Sequence, residues 1–131
     1  MANRITGNDD RGDDMGMTVL IVDDHPSFRA SARTLLEAEG YEVVGEAEDG
    51  ESAIRAVEEL HPDLVLLDIQ LPDIDGFEVA ERLRVLEKRP AVVLTSSRDG
   101  KDYARCIECS GARGFVPKAE LSGAALSALL T

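Results

Sequence analysis

Cysteine is scarce in this chain of 131 residues: Cys106 and Cys109 are the only two, too few for a disulfide scaffold. Long apolar runs are missing too. None approaches the ~20 residues needed to cross a bilayer, and the N-terminus lacks the apolar core of a secretory signal. Both absences lead us to expect a cytoplasmic protein. Basic residues are in deficit, 14 against 26 acidic, for a formal charge of −12. Asp9, Asp10, Asp13 and Asp14 against Arg4 and Arg11 place about two of those negative charges in the first 16 residues. A surface this acidic repels phosphate backbones, so direct nucleic-acid binding is not expected. It suits basic partner surfaces or cations.

What is present is a repeated strand–helix pattern. Residues 1–16 are polar, without hydrophobic period, and are expected to form a disordered tail ahead of one domain over 17–131. Val19-Leu20-Ile21-Val22, Leu64-Val65-Leu66-Leu67 and Ala91-Val92-Val93-Leu94 are continuous apolar runs, the pattern of strands covered on both faces. Tyr41 to Ala47 predicts another strand, and Gly114-Phe115-Val116 a short last one. Between them lie helical patterns. Pro26 opens the first and Gly40 closes it; Ala53, Ile54, Val57 and Leu60 share a face of the second. The third runs from Phe77 to Leu86, a weaker fourth covers about Asp102 to Cys109, and Leu121 to Leu130 forms the fifth. Repeated βαβ units predict a five-stranded parallel sheet with helices on both faces, in the doubly wound order 2-1-3-4-5.

In that order, ligands gather outside the carboxyl ends of the central strands. Strand one ends in Asp23-Asp24, strand three in Asp68, strand four in Thr95, and strand five leads into Lys118. Three carboxylates in one crevice repel unless neutralised, and one lysine is insufficient. A hard divalent cation such as Mg²⁺ supplies the remainder. With a nearby lysine it also stabilises the equatorial oxygens of a transferring phosphoryl group. Asp68 is then the candidate nucleophile, with Thr95 and Lys118 binding the phosphoryl oxygens.

Three blocks carry a resemblance: Leu20 to Pro26 (Leu-Ile-Val-Asp-Asp-His-Pro), Leu66 to Pro72 with Asp75-Gly76, and Gly111 to Lys118. Together and in order they resemble the receiver domains of two-component response regulators, over about Thr18 to Leu130. The Asp-Asp-His-Pro block is similar to the branch whose receivers often precede a helix-turn-helix DNA-binding domain. The resemblance implies a Mg²⁺-dependent phosphoacceptor switch, charged at Asp68 by a sensor histidine kinase or phosphotransfer protein. It implies Asp24, Asp68 and the backbone carbonyl of Gln70 as direct Mg²⁺ ligands, with Asp23 acting through water. Thr95 is implied as the switch hydroxyl, Lys118 as the phosphate-binding lysine and Phe115 as the rotating aromatic. The face changed is that of the fourth helix, fifth strand and fifth helix, through which a homodimer is also conceivable. Two departures stand out. Ala119 follows Lys118 where the family has proline across a cis peptide, and the stretch from Thr95 to Gly111 is one residue longer than the pattern, leaving Ser96 as an alternative hydroxyl.

Plainer readings compete. Taken singly, Asp23 and Asp24 are good helix-capping residues, Asp68 an ordinary turn residue, Thr95 a loop hydroxyl and Lys118 a solvated lysine. Cys106 and Cys109 have Cys-x-x-Cys spacing but fall within one helix without metal-ligand partners. His25 and His61 read as structural or solvated. A receiver-like binding module without phosphorylation is the main rival. An aspartyl-phosphate phosphatase lacks room for a cap domain, and a dinucleotide enzyme lacks the Gly-rich loop. The switch is expected to turn over no external substrate.

Overall fold

The computed structural model describes residues 17–97 and 104–130. The expected tail, residues 1–16, lies outside them. Strands β1 (Thr18–Val22), β2 (Glu42–Ala47), β3 (Leu64–Asp68), β4 (Ala91–Ser96) and β5 (Gly114–Pro117) pair in parallel in the order β2-β1-β3-β4-β5. Helices α1 (Pro26–Ala38), α2 (Gly50–Leu60), α3 (Gly76–Arg84) and α4 (Ala104–Ser110) make the crossovers, and α5 (Gly123–Leu130) follows the last strand after a 3-10 turn at Lys118–Glu120.

Side chains alternate faces along a strand, and this parity divides the core in two. Leu20, Val22, Val65, Leu67, Val92 and Leu94 face α2 and α3, meeting Ala53, Val57, Val79 and Leu83. Val19, Ile21, Leu64, Leu66, Val93 and Val116 face α1 and α5, meeting Ala32, Leu36 and Leu126. Burying each such leucine or isoleucine stabilises the fold by roughly 1.5–3 kcal/mol. That surplus lets the sheet carry a polar, self-repelling cluster at one edge.

Local signals set the boundaries. Gly40 just past α1 has φ 99°, and Gly111 just past α4 has φ 84°, the left-handed conformation that favours glycine. Asp49 caps α2 by accepting from the Ser52 backbone N–H at 2.8 Å, with the Ser52 hydroxyl completing the box. The last helix starts two residues later than its pattern suggested, because Ser122 turns the chain after the 3-10 segment and its hydroxyl accepts from the Ala125 N–H. The third helix closes at Arg84, short of Leu86. Among the described residues no peptide is cis, so the Lys118–Ala119 bond is trans. No helix among them is long and apolar enough to cross a membrane.

Candidate functional site

Parity and register together assemble the site. Asp23 continues the β1 series Val19, Ile21; Asp68 continues the β3 series Leu64, Leu66; Thr95 continues from Val93; Lys118 from Val116. All four therefore fall on the α1/α5 side at the carboxyl edge of the sheet. Asp68 and Thr95 are register partners across β3 and β4. Ser96 has the opposite parity and pairs with Pro117. Its side chain is buried on the other side.

Asp23 and Asp68 are 0% and 2% exposed, and Thr95 is 1% exposed. The Lys118 ammonium reaches between the carboxylates, 2.6 Å from Asp23 Oδ2 and 3.3 Å from Asp68 Oδ2. It also lies 4.6 Å from the centroid of the Phe28 ring, a cation–π contact from α1. The other oxygen of Asp23 accepts from the His25 backbone N–H at 2.8 Å and approaches His25 Nδ1 at 3.0 Å. His25 Nδ1 is also 3.1 Å from Asp24 Oδ1. Arg29 donates to the Asp23 carbonyl. The Gln70 N–H donates to Asp68 Oδ1 at 3.1 Å.

The loop from Ile69 to Asp75 is anchored at both ends. Asp73 accepts from the N–H groups of Gly50 and Glu51 at 2.8 and 3.0 Å, satisfying the first turn of α2. Gly76 packs so tightly that a Cβ there would sit 2.4 Å from the Asp68 carbonyl oxygen. Only glycine lets the chain return that close to the reactive strand end.

The charges conflict, as expected. Burial pushes the Asp68 carboxyl up to about 6, the Asp23 charge adds to the rise, and the Gln70 N–H and Lys118 oppose it. Burial disfavours the charge on Lys118, but its bond to Asp23 and the charges of Asp68 and Asp23 outweigh that and hold its pKa above the ordinary lysine value. One ligand atom from each of Asp23, Asp24, His25 and Asp68 lies within 4.8 Å of the others. Three carboxylates against one ammonium leave a deficit of two positive charges, which a divalent cation with oxygen ligands fits. Thr95 Oγ1 is buried without a hydrogen-bond partner among the described residues. A buried hydroxyl in that condition costs about 1–3 kcal/mol. It points to a further acceptor that the site is built to receive.

The chain's residues 19–129 match the family model described as the response regulator receiver domain. The chain belongs to that family. Among curated proteins it is 43% identical over 102 residues to BvgA of Bordetella pertussis, named as a positive transcription regulator of virulence factors, covering 78% of this chain and 49% of that one. It is 36% identical over 104 residues to the DNA-binding transcriptional activator EvgA of Escherichia coli K12, covering 79% and 51%. The receiver thus spans about half the length of these curated relatives. Among solved structures, the signal receiver domain of the response regulator NarL from Mycobacterium tuberculosis superposes with TM-score 0.77 at 34% identity, covering 88% of this chain and 98% of that one. A LuxR-family response regulator from an Aurantimonas species gives TM-score 0.78 at 32% identity, over 88% and 86%.

One expectation is overturned. Nucleic acid was excluded as a partner on the strength of the acidic surface, yet the relatives are transcription regulators and EvgA is DNA-binding by name. Net charge describes only the surface that carries it, and this receiver corresponds to about half of each relative.

Of the residues expected at the site, the structure brings Asp23, Asp68, Thr95 and Lys118 together, with Asp24 at the rim, 37% exposed. Gln70 is placed through its N–H; its side chain is exposed. Phe115 is not brought to Asp68: it pairs with Leu94 and packs half-buried against the α2/α3 core. Sequence reasoning missed three contributors. Phe28 and Arg29 were not singled out, and His25 was read as structural or solvated, although it touches both aspartates. Their spacing after Asp23-Asp24, on the first turn of α1, was the available signal.

Proposed function

We propose that this receiver accepts a phosphoryl group on Asp68, from a phosphohistidine donor of a two-component pathway, with Mg²⁺ bound. A carboxylate oxygen of Asp68 attacks phosphorus as the P–N bond breaks; the histidine nitrogen leaves with the bond pair and ends protonated. The product is an aspartyl phosphate that stays on the chain, so no external substrate is turned over. The observation that carries this reading is the juxtaposition of buried Asp68, the unpartnered Thr95 hydroxyl directly across the strand pair, and the Lys118 ammonium.

Asp24 and Asp68, with the Gln70 carbonyl, would hold the cation, and Asp23 would act through water. The bound cation supplies charge that offsets carboxylate repulsion and the negative charge of the phosphoryl oxygens. Lys118 donates to one phosphoryl oxygen while Asp23 and Phe28 keep its ammonium in place. The Thr95 hydroxyl donates to another. A hydrogen bond from that hydroxyl to the phosphoryl group would link phosphorylation to β4, and Phe115 on the neighbouring strand would turn in response. The face of α4, β5 and α5 changes with it. The relatives' names support transcription as the output, and a phosphohistidine donor of this kind would meet the protein in the cytoplasm.

Incubation with acetyl phosphate and Mg²⁺ tests the reading. Intact-mass and peptide analysis should find one phosphoryl group, on Asp68, and none when EDTA replaces Mg²⁺. If Asp68→Asn labels as well as the unmodified protein, Asp68 is not the acceptor.

A further inference from the structure

At the opposite edge of the sheet from Asp68, a cavity of about 770 Å³ opens between the end of α3, the start of β4 and the approach to β5. Its wall carries three arginines: Arg84, Arg89 and Arg113. Partly exposed Pro90 and Ala91, over buried Leu83 and Val92, give it an apolar floor, and Glu108 is the acidic residue on its lining. In a chain with 26 acidic and 14 basic side chains, this concentration of one sign runs against the composition.

Among the other described arginines, three pair with carboxylates and exposed Arg55 does not. Arg29 and Arg33 bind Glu46, and Arg82 binds Glu51 and Glu78. Arg84, Arg89 and Arg113 have no carboxylate within ion-pair distance among the described residues. Helix capping accounts for part of their presence. Arg84 donates to the Cys109 carbonyl at the end of α4 at 2.8 Å, and Arg89 donates to the Arg84 carbonyl at the end of α3 at 3.0 Å. Each bond uses one of five guanidinium N–H groups and fixes where the rest sit. Arg84 is further held by Gly111, where a Cβ would come within 2.7 Å of Arg84 Cδ. Capping explains nothing about the Arg113 side chain. Three cations left close together repel unless an anion joins them.

We propose that this cavity binds a phosphate-bearing small molecule of nucleotide size. Guanidinium groups match phosphate oxygens with paired, charge-assisted hydrogen bonds. The volume falls within the range of roughly 300–1,000 Å³ typical of small-molecule sites, and the apolar floor gives the uncharged part of the ligand a surface. The site is separate from the carboxylate cluster, whose charge repels the same ligand.

Calorimetric titration of the whole chain tests this, with ADP, pyrophosphate and adenosine as separate probes in EDTA at low salt. ADP should bind most tightly, pyrophosphate more weakly, and adenosine not measurably. Arg113→Ala and the Arg89→Ala/Arg113→Ala pair should weaken ADP by about tenfold per arginine removed, the scale of one charge-assisted bond. Both positions are exposed, so circular dichroism should show the variants folded. Asp68→Asn should leave ADP affinity unchanged, which separates this site from the phosphoacceptor. Pyrophosphate binding as tightly as ADP would overturn the nucleotide-sized ligand. Failure of both phosphates to bind, or binding indifferent to the arginine changes, would overturn the site.

Discussion

Replacing Asp68 with Asn should make the metal-free receiver more stable at neutral pH. The reasoning starts from the carboxyl itself, which burial raises from 3.8 to about 6. A carboxyl whose folded pKa is raised binds its proton more tightly in the folded state. Below pH 3.8 both states hold the proton and the group contributes no difference. As pH rises from there to about 6 the unfolded chain releases the proton first, and stability falls. Above 6 the full cost is present, on the order of 3 kcal/mol for a shift of this size. Asn is close to the neutral acid in shape and keeps an oxygen to accept the Gln70 N–H. Its amide nitrogen must then face the Lys118 ammonium, which loses one of two carboxylates but keeps Asp23 at 2.6 Å. That conflict takes back part of the gain, leaving about 1–2 kcal/mol, or roughly 5–10 °C in Tm. Urea denaturation in EDTA at pH 7.5 and pH 4 reads it directly: the variant should lead at the higher pH and fall level with or below the unmodified protein at the lower. Saturating Mg²⁺ should stabilise the unmodified protein by RT ln(1 + [Mg²⁺]/Kd) and the variant far less. An Asn variant no more stable at pH 7.5, or a gap of equal size at pH 4, would refute buried repulsion at Asp68.

Mg²⁺ affinity should fall as pH drops through about 6, because the proton and the cation compete for Asp68; titration of Mg²⁺ by calorimetry at pH 7.5, 6 and 5 measures this. Asp24→Ala should weaken Mg²⁺ at least about tenfold while changing urea stability in EDTA by under about 0.5 kcal/mol, since the side chain is partly solvated. Thr95→Val removes an unpartnered buried hydroxyl, so the metal-free protein should gain about 1 kcal/mol while aspartyl phosphate accumulates more slowly from acetyl phosphate. Gly76→Ala should cost about 1–3 kcal/mol and depress phosphorylation, because its Cβ would meet the Asp68 carbonyl and displace the strand end.

Much of this fold was legible because parallel strands are buried on both sides. Continuous apolar runs such as Leu64 to Leu67 have few other places to go, and each ended at the residue that matters. The order of the strands then brought Asp23, Asp68, Thr95 and Lys118 to one edge without any knowledge of contacts. Between Thr95 and Ser96, the sequence favoured Thr95, which directly follows the apolar run, and left Ser96 open because the stretch to Gly111 is one residue longer than the family pattern. Register settles which side each occupies: Thr95 stands opposite Asp68, and Ser96 opposite Pro117.

Harder to read were the supports. Asp23 looked like a residue waiting for a metal, but in the folded chain both of its oxygens are already engaged, one by Lys118 and one by His25. Phe28 satisfies a helical period and nothing in its position announces that a lysine 90 residues later will rest on its ring. Such contacts depend on the angle at which α1 crosses the sheet, which hydrophobic spacing does not encode. Phe115 shows the complementary limit. Its switch role came from the family resemblance alone, and strand parity sends its side chain to the α2/α3 core. Any coupling between it and Asp68 must therefore pass through the β4 backbone, from Thr95 to its neighbour Leu94, rather than through direct contact with the phosphoryl group.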